Sequence, residues 1–270
     1  VGNLIHRIWG CDATDELRQK HAPCDLLADI KAGAYKLKSV CIERALFPSI
    51  AASVRKPSLE ASFHWRLKPP GGTLNGVVYT DGSRPDGPSN DTARLGWAFA
   101  VVDKEGTITA MASGVPPEWI DSIPGAGAWA ILQAAMLAEP GTSYRIDCLP
   151  CVDAIHKGKS YATAGHRPLA RVFNLIFAAI DDADPMNFVW VPAHTSPADV
   201  GVKFLGDHTL LSEQDRELNN VADELAKKAV EEHRVPKVQR DQVLAQAKLV
   251  TDTAHWIGHV TYDANHWHCM

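Results

Sequence analysis

Three aspartates in this 270-residue chain follow short apolar stretches, a position from which a carboxylate can do chemistry. Asp81 ends the stretch VVYTD, Asp147 ends YRID, and Asp223 lies within NNVADELA. The β-branched and aromatic residues before Asp81 favour a strand, and Gly82 marks its end. A carboxylate is rarely buried without a counter-charge. Asp81 therefore indicates either an ordinary turn before a glycine or a functional site.

The segments that hold these aspartates alternate between predicted strands and helices in the order β-β-β-α-β-α-α-β-loop-α. Strands are predicted at 77–82, 95–102, 107–113, 144–149 and 186–191, from apolar alternation and turn residues. Helices are predicted at 127–139, 152–156, 168–179 and 219–232. The fold class is α/β, with a five-stranded mixed sheet (three antiparallel strands, then two parallel) flanked by helices.

The parallel crossovers bring the carboxyl ends of the strands to one crevice. Asp81, Asp147 and Asp223 are therefore expected to meet in space. Converging carboxylates repel one another unless hard cations bridge them, and Mg²⁺ is the usual candidate. Two cations about 3.5–4 Å apart can stabilise both the entering and the departing oxygen of a phosphoryl displacement.

These pieces resemble the type 1 ribonuclease H family, as found in the reverse transcriptase polyproteins of retroelements. The resemblance is carried by YTDGS at 79–83, ID at 146–147, FVWVPAH at 188–194 and NNVADELA at 219–226, in the family's order. It implies a ribonuclease H-like fold over 73–233. It also implies cleavage of the RNA strand of RNA–DNA hybrids with two Mg²⁺ ions, for which Mn²⁺ can substitute.

The resemblance also implies a role for each site residue. Asp81 would bridge both ions, Asp223 would join it on the ion that activates water, and Asp147 on the ion that stabilises the leaving 3′ oxygen. His194 resembles the family's mobile histidine that assists turnover, and a neutral imidazole can exchange protons near pH 7. The alternative for His194 is a histidine on a surface loop.

One position departs from the family's pattern. Gly127 stands where the resemblance expects a fourth metal-binding carboxylate, a glutamate that also contacts the ribose 2′-hydroxyl. Two functions follow from this departure. The first is a hybrid ribonuclease impaired by the missing ligand, and the second is a catalytically inactive ribonuclease-H-like module that binds nucleic acid or supports a neighbouring domain.

Substrate contacts are expected from backbone and hydroxyl groups, because phosphates are bound without reading the bases. The candidates are Gly82, Ser83, Arg84 and the helix start near Asn219. A basic cluster is either a track for the DNA strand or a solvated charged face. It comprises Arg84, Lys157, Lys159, His166, Arg167 and Arg171.

The remaining chain divides at glycine and proline. Residues 1–72 form an N-terminal helical extension that ends in the linker KPPGG, and residues 234–270 form a helical, His-rich tail. His6, Cys11, His21 and Cys24 have the residue types of a zinc site, as do His255 and His259, but neither spacing completes a finger. Cys148 and Cys151 have CxxC spacing without a second pair, which indicates ordinary thiols.

Composition excludes several classes of protein. A net charge of −5 argues against binding nucleic acid through net positive charge. Six scattered cysteines do not form a disulfide scaffold. No signal peptide or membrane helix is recognisable, so an intracellular location (cytoplasm or nucleus) with no membrane partner is expected. The start at Val1 suggests a piece of a longer chain, with an upstream reverse transcriptase domain as a further partner.

Overall fold

A computed structural model describes residues 5–33, 39–54, 56, 60–87, 89, 91–180 and 184–266. Its contacts divide the chain into two compact units. One unit is Lys56–Arg234, and the other combines Val1–Arg55 with Val235–Met270. The acidic residues identified above all lie in Lys56–Arg234.

The unit Lys56–Arg234 is built on a mixed sheet. Its strands are β1 (His64–Leu67), β2 (Val77–Ser83), β3 (Gly96–Val102), β4 (Ile108–Gly114), β5 (Ser143–Ile146) and β6 (Phe188–Trp190). Their order across the sheet is β1-β4-β3-β2-β5-β6. β1 to β4 pair antiparallel, whereas β2, β5 and β6 run parallel to one another.

This arrangement confirms the predicted fold class, three antiparallel strands followed by two parallel strands in an α/β architecture. The predicted number of strands was wrong, because the described sheet has six. The added strand, β1, lies at the sheet edge against β4, in a segment that the sequence analysis assigned to the N-terminal extension. Its sequence HWRL alternates polar and apolar residues, but over only four positions directly before the KPPGG linker, which is the shortest run that indicates a strand.

Helices cover the two faces of the sheet. The terminal unit contains the helices that precede the sheet in the chain, α1 (Asp15–His21), α2 (Cys24–Lys31) and α3 (Val40–Arg44). Between the strands in the chain come α4 (Ile123–Ala135), α5 (Leu149–His156), α6 (Lys159–Ala162) and α7 (Ala170–Ala179). The last strand is followed by α8 (Glu213–Glu231) and then by α9 (Lys237–Asn265), which belongs to the terminal unit. Val78 of β2 belongs to the main core with α4 and α7, whereas Tyr79 packs with Leu218 and Ala222 of α8. Because side chains alternate along a strand, α4 and α8 lie on opposite faces of β2.

Three predicted helix starts were too late: α5 begins at Leu149 instead of 152, and α4 and α8 begin earlier than predicted because of a capping serine. Ser122 caps α4 by accepting a hydrogen bond from the backbone of Gly125, so α4 begins four residues before the predicted start at 127. Ser212 and Asp215 form a capping box that starts α8 at Glu213. Asn219, expected near a helix start, therefore lies in the second turn of α8, where its backbone N–H is not a terminal donor.

A polar network joins α8 to the sheet beneath it. The hydroxyl of Tyr79 donates to Asp215 Oδ1 at 2.8 Å, and Arg145 of β5 forms an ion pair with the same oxygen at 3.6 Å. Asp215 is buried, and its hydrogen bonds with Ser212 complete its environment. Burial and the Asp215 carboxylate raise the pKa of Tyr79 well above its usual value. The network fixes the start of the helix that carries Asp223.

The terminal segments form the second unit around their own core. Trp9 packs edge-on to Trp256 with ring centroids 6.1 Å apart, and its indole N–H donates to the carbonyl oxygen of Ile42 at 2.7 Å. The long helix α9 extends through the His-rich segment as far as Asn265. Residues 267–270, with His268 and Cys269, lie outside the described residues.

Four of the six zinc-type residues of the two termini line one cavity in this unit. His21 stacks on His259 with ring centroids 4.7 Å apart, and Cys24 and His255 line the same cavity. Among the described residues, however, no three His, Cys, Asp or Glu side chains are arranged to hold a metal ion. This agrees with the incomplete spacing of these residues in the sequence. Nor has any helix in these residues the length and apolar character that crossing a membrane requires.

Candidate active site

The parallel register of β2 and β5 sets the first two aspartates side by side. Thr80 pairs with Ile146, so the next residue on each strand, Asp81 and Asp147, stands at the same carboxyl edge of the sheet. Asp81 is the fifth residue of β2, and Asp147 follows the last residue of β5. Asp147 is held there by its own carbonyl oxygen, which accepts a hydrogen bond from the Trp190 indole at 3.1 Å.

Asp81 is buried, with 6% of its surface exposed, and it interacts with both other aspartates. Burial raises its pKa above the usual range, and the negative charges of Asp147 and Asp223 raise it further. The backbone N–H of Gly82 opposes this rise by donating to Asp81 Oδ1 at 2.6 Å. Burial also raises the pKa of Asp147, and the neighbouring Cys148 and Asp223 raise it further.

Asp223 reaches this edge from α8 on the other side of β2. α8 crosses the sheet closely at Gly96, where an added Cβ would stand 2.3 Å from the Ala226 carbonyl oxygen. Asp223 has a counter-ion on the same helix: Lys227, one turn later, places its Nζ 2.6 Å from Asp223 Oδ2. The hydrogen bond with Asp223 raises the pKa of Lys227, and the nearby charge of Asp81 adds to the effect. Of the three carboxylates, Asp223 is the one neutralised by the protein itself.

Gly127 lies at the same edge, on α4. An added Cβ on Gly82 would come within 2.3 Å of the Gly127 backbone nitrogen, so β2 and α4 are in direct backbone contact immediately after Asp81. A Cβ on Gly127 would meet only Cys148, at 3.5 Å from its Cβ, which is ordinary van der Waals contact. Position 127 therefore borders Asp81 and the Asp147–Cys148 segment, has room for a Cβ, and supplies no carboxylate.

The remaining residues predicted for the site differ in exposure and in their contacts. His194 is exposed on the bend after β6, with a left-handed φ of 51° that is uncommon outside glycine. Ser83 and Asn219 are buried, and Asn219 Oδ1 has no hydrogen-bond partner among the residues that the structure describes. The Gly82 N–H is engaged by Asp81, as described. Arg84 donates to the Asp121 carbonyl oxygen at 3.0 Å.

Three of the six residues of the basic cluster lie over partly exposed aromatic rings, a contact that the sequence did not predict. Arg167 lies over the ring of Tyr161 at 3.8 Å, and Arg171 lies over Trp119 at 4.1 Å. Lys157 contacts the Tyr161 ring from 5.1 Å. Cation–π stacking holds guanidinium planes in fixed positions while their N–H groups stay available.

Chemically, the Asp81–Asp147 pair fits a hard divalent cation. Both groups offer oxygen ligands, and in the described part of the chain neither has an ion-pair partner. A bound cation would relieve the repulsion that raises their pKa values. Asp223 can join such a site only if its contact with Lys227 opens.

Comparisons with known proteins add little to this picture. No family model matches the chain, and no curated protein matches it. Among solved structures, the PFV RNase H domain is 18% identical with a TM-score of 0.38, covering 59% of this chain and 96% of its own. LC9-RNase H1, described as a type 1 RNase H with the type 2 active-site motif, is 12% identical with a TM-score of 0.38, covering 67% and 85%. The residues of this chain must therefore carry any functional proposal.

Proposed function

We propose that this protein is a ribonuclease of the ribonuclease H type that cleaves the RNA strand of RNA–DNA hybrids by hydrolysis, with impaired activity. The observation that carries the proposal is the meeting of Asp81 and Asp147 at one sheet edge, with Asp223 beside them. A buried carboxylate beside a half-buried one, with no counter-charge among the described residues, is costly to keep, so a fold that holds Asp81 and Asp147 together favours a bound cation as their partner.

Divalent cations, two Mg²⁺ ions or Mn²⁺ in their place, would stabilise the entering and departing oxygens of the scissile phosphate when bound. Asp81 would hold both, Asp147 one and Asp223 the other. The chain's own contribution is to fix these oxygens: the Gly82 N–H orients the Asp81 carboxylate, and the Trp190 indole fixes the backbone at Asp147. His194, exposed after β6, would accept or release protons during turnover.

Two features support impairment. Gly127 contributes no ligand, and Lys227 competes with a cation for Asp223. The same two features also favour the second candidate function, a module that binds hybrid without cleaving it. The two functions share a surface and differ only in whether the acidic residues act.

The cationic side chains stacked on aromatic rings support a nucleic-acid partner for either function. Arg167 and Arg171 are held on Tyr161 and Trp119. Phosphate binding of this kind depends on salt, and removing one cation that binds a phosphate reduces the salt slope by about 0.7–0.9. We also propose that a retroelement reverse transcriptase lies upstream in the same polypeptide, and that the protein is intracellular.

The test is cleavage of an end-labelled RNA–DNA hybrid beside matched RNA duplex and DNA duplex, with Mg²⁺ or Mn²⁺ varied. We expect slow cleavage of the hybrid's RNA strand alone, which Asp81→Asn abolishes while hybrid binding persists. Binding without cleavage in the wild type under every metal condition would favour the inactive module. If the protein neither binds nor cleaves the hybrid, both functions are excluded.

A further inference from the structure

Two thiols are in contact at the wall of the acidic site. Cys148 follows Asp147 and is the residue before α5, and Cys151 lies in the first turn of that helix. Their sulfur atoms are 2.9 Å apart, and the Cys151 N–H donates to the Cys148 carbonyl oxygen at 2.9 Å. Both cysteines are free thiols in this structure. The sequence pattern alone indicated ordinary thiols; contact between the two sulfur atoms points to joint chemistry.

The two thiols differ in exposure in the way that a stepwise oxidation needs. Cys148 is half-buried and borders the exposed residues Leu149 and Pro150, whereas Cys151 is fully buried. A reagent from solution therefore reaches Cys148 first. Cys151 is shielded from the reagent but touches the Cys148 sulfur, the position of a resolving thiol.

We propose that Cys148 and Cys151 form a redox-modification site that a small disulfide such as glutathione disulfide converts reversibly into an intramolecular disulfide. The Cys148 sulfur attacks one glutathione sulfur, the glutathione S–S bond breaks, and one glutathione leaves with the Cys148 proton. The Cys151 sulfur then attacks the Cys148 sulfur of the mixed disulfide, and the second glutathione leaves with the Cys151 proton. Two protein thiols are oxidised and one glutathione disulfide is reduced. This chemistry is independent of the proposed nuclease activity.

Oxidation would alter two elements that border the acidic residues. A disulfide bond is about 2.05 Å long, so the sulfur atoms approach by about 0.9 Å from their present separation. Cys148 is peptide-bonded to Asp147, and its Cβ faces Gly127 across an ordinary van der Waals distance. Cys151 contacts the Pro124 carbonyl oxygen in the first turn of α4 at 3.3 Å, and oxidation removes the thiol proton from that contact. The bond would therefore shift both the end of β5 and the start of α4.

The tryptic map of the chain offers a clean test. Cleavage after Arg145 and Lys157 releases peptide 146–157, which contains Cys148 and Cys151 and no other cysteine. The full-length protein is equilibrated in buffers of increasing glutathione disulfide, alkylated, digested and analysed by mass spectrometry. We expect the peptide to pass from doubly alkylated to unalkylated, two hydrogens lighter, and to return on treatment with dithiothreitol. A peptide that stays doubly alkylated in excess glutathione disulfide, or stops at a glutathione adduct, overturns the proposal.

Single variants check the order of events. Cys151→Ser should leave Cys148 trapped as the glutathione adduct, because the resolving thiol is gone. Cys41→Ser, which removes a partly exposed thiol of the terminal unit, should leave the oxidation of peptide 146–157 unchanged. Equal oxidation of Cys148 and Cys151 to separate adducts in the wild type would contradict the assigned roles. If the chain cleaves hybrids, the oxidised form should cleave them at a different rate, and the original rate should return on reduction. Cys151→Ser protein, whose Cys148 is kept reduced by dithiothreitol, gives the cleavage rate without a disulfide for comparison.

Discussion

Lys227 Nζ lies 2.6 Å from Asp223 Oδ2, one helical turn away, so the protein's own cation neutralises one of its three clustered aspartates. The other two, Asp81 and Asp147, have no such partner among the described residues. The site is thus divided into a compensated carboxylate and an uncompensated pair.

Replacing Lys227 should strengthen divalent-cation binding. Lys227→Gln removes a positive charge that competes for Asp223, and we expect Mg²⁺ affinity to rise by about 3–10-fold, since 1.4 kcal/mol corresponds to a tenfold change. Isothermal titration calorimetry measures the change. Lys228→Gln, at the next and exposed position of α8, is the matched control. Equal affinities for both variants would show that Lys227 does not compete with the cation.

Adding a carboxylate at position 127 should increase hybrid cleavage. Gly127→Glu has room at its Cβ and would place an acidic side chain beside Asp147, so the cleavage rate in Mg²⁺ should rise by about tenfold or more. Gly127→Gln supplies the same bulk without the charge and should not raise the rate. It should share the gain in stability of about 0.5–1 kcal/mol that replacing a helical glycine brings. A rate that rises equally in both variants would mean that stability, not ligation, limits cleavage.

Removing charge from the aspartate pair should stabilise the metal-free protein. At pH 9, above the raised pKa of Asp81 (about 8), Asp81→Asn ends the repulsion with Asp147, and we expect the free energy of unfolding in EDTA to increase by about 1–3 kcal/mol. In saturating Mg²⁺ the difference in free energy of unfolding between the variant and the wild type should shrink or change sign, because the wild type binds the cation more tightly. Denaturant unfolding with and without Mg²⁺ gives both values. A metal-free variant less stable than the wild type is the contrary result.

The network under α8 should contribute measurably to stability. Tyr79→Phe removes the O–H that donates to the buried Asp215 carboxylate, and we expect a loss of about 1–3 kcal/mol. Tyr161→Phe, on a ring that is 37% exposed, should change stability much less. Urea unfolding of the two variants and the wild type gives the comparison. Losses of equal size would show that Asp215 keeps its full stabilisation without Tyr79.

His233 should make stability depend on pH. Its Nε2 lies 3.0 Å from the Leu95 carbonyl oxygen, and burial lowers the pKa of the ring below 6.5, with Arg94 adding to the effect. Because the unfolded chain then takes up a proton more readily, stability is full above pH 6.5. It falls as pH drops toward the folded-state pKa, at no more than about 1.4 kcal/mol per pH unit.

The variant His233→Gln, which cannot take up this proton, should show a flatter stability profile between pH 7.5 and pH 5. His166→Gln, at an exposed histidine, serves as the control and should keep the wild-type profile. The measurement is the free energy of unfolding across this pH range. Parallel profiles for wild type and His233→Gln would contradict the lowered pKa.

Local patterns predicted the elements with strong signals. The alternation before Asp81 predicted β2, and apolar alternation predicted the meander of β2, β3 and β4. Helix starts were missed where a serine cap lies several residues before the apolar run, as at Ser122 and Ser212. β1 was missed because its alternation covers only four residues, and the strand is defined by its pairing with β4 at the sheet edge.

The sequence by itself determined which residues could do chemistry here: three aspartates after apolar stretches, and a glycine where a fourth carboxylate was expected. Tertiary structure alone decided their surroundings. The register of β2 against β5 aligned Asp81 with Asp147, and one turn of α8 gave Asp223 its own lysine. The turn into α5 brought two cysteine sulfur atoms into contact. Distances of this kind depend on strand register and on which helix face meets the sheet, and these are set by packing across the whole core, which no local stretch of sequence encodes.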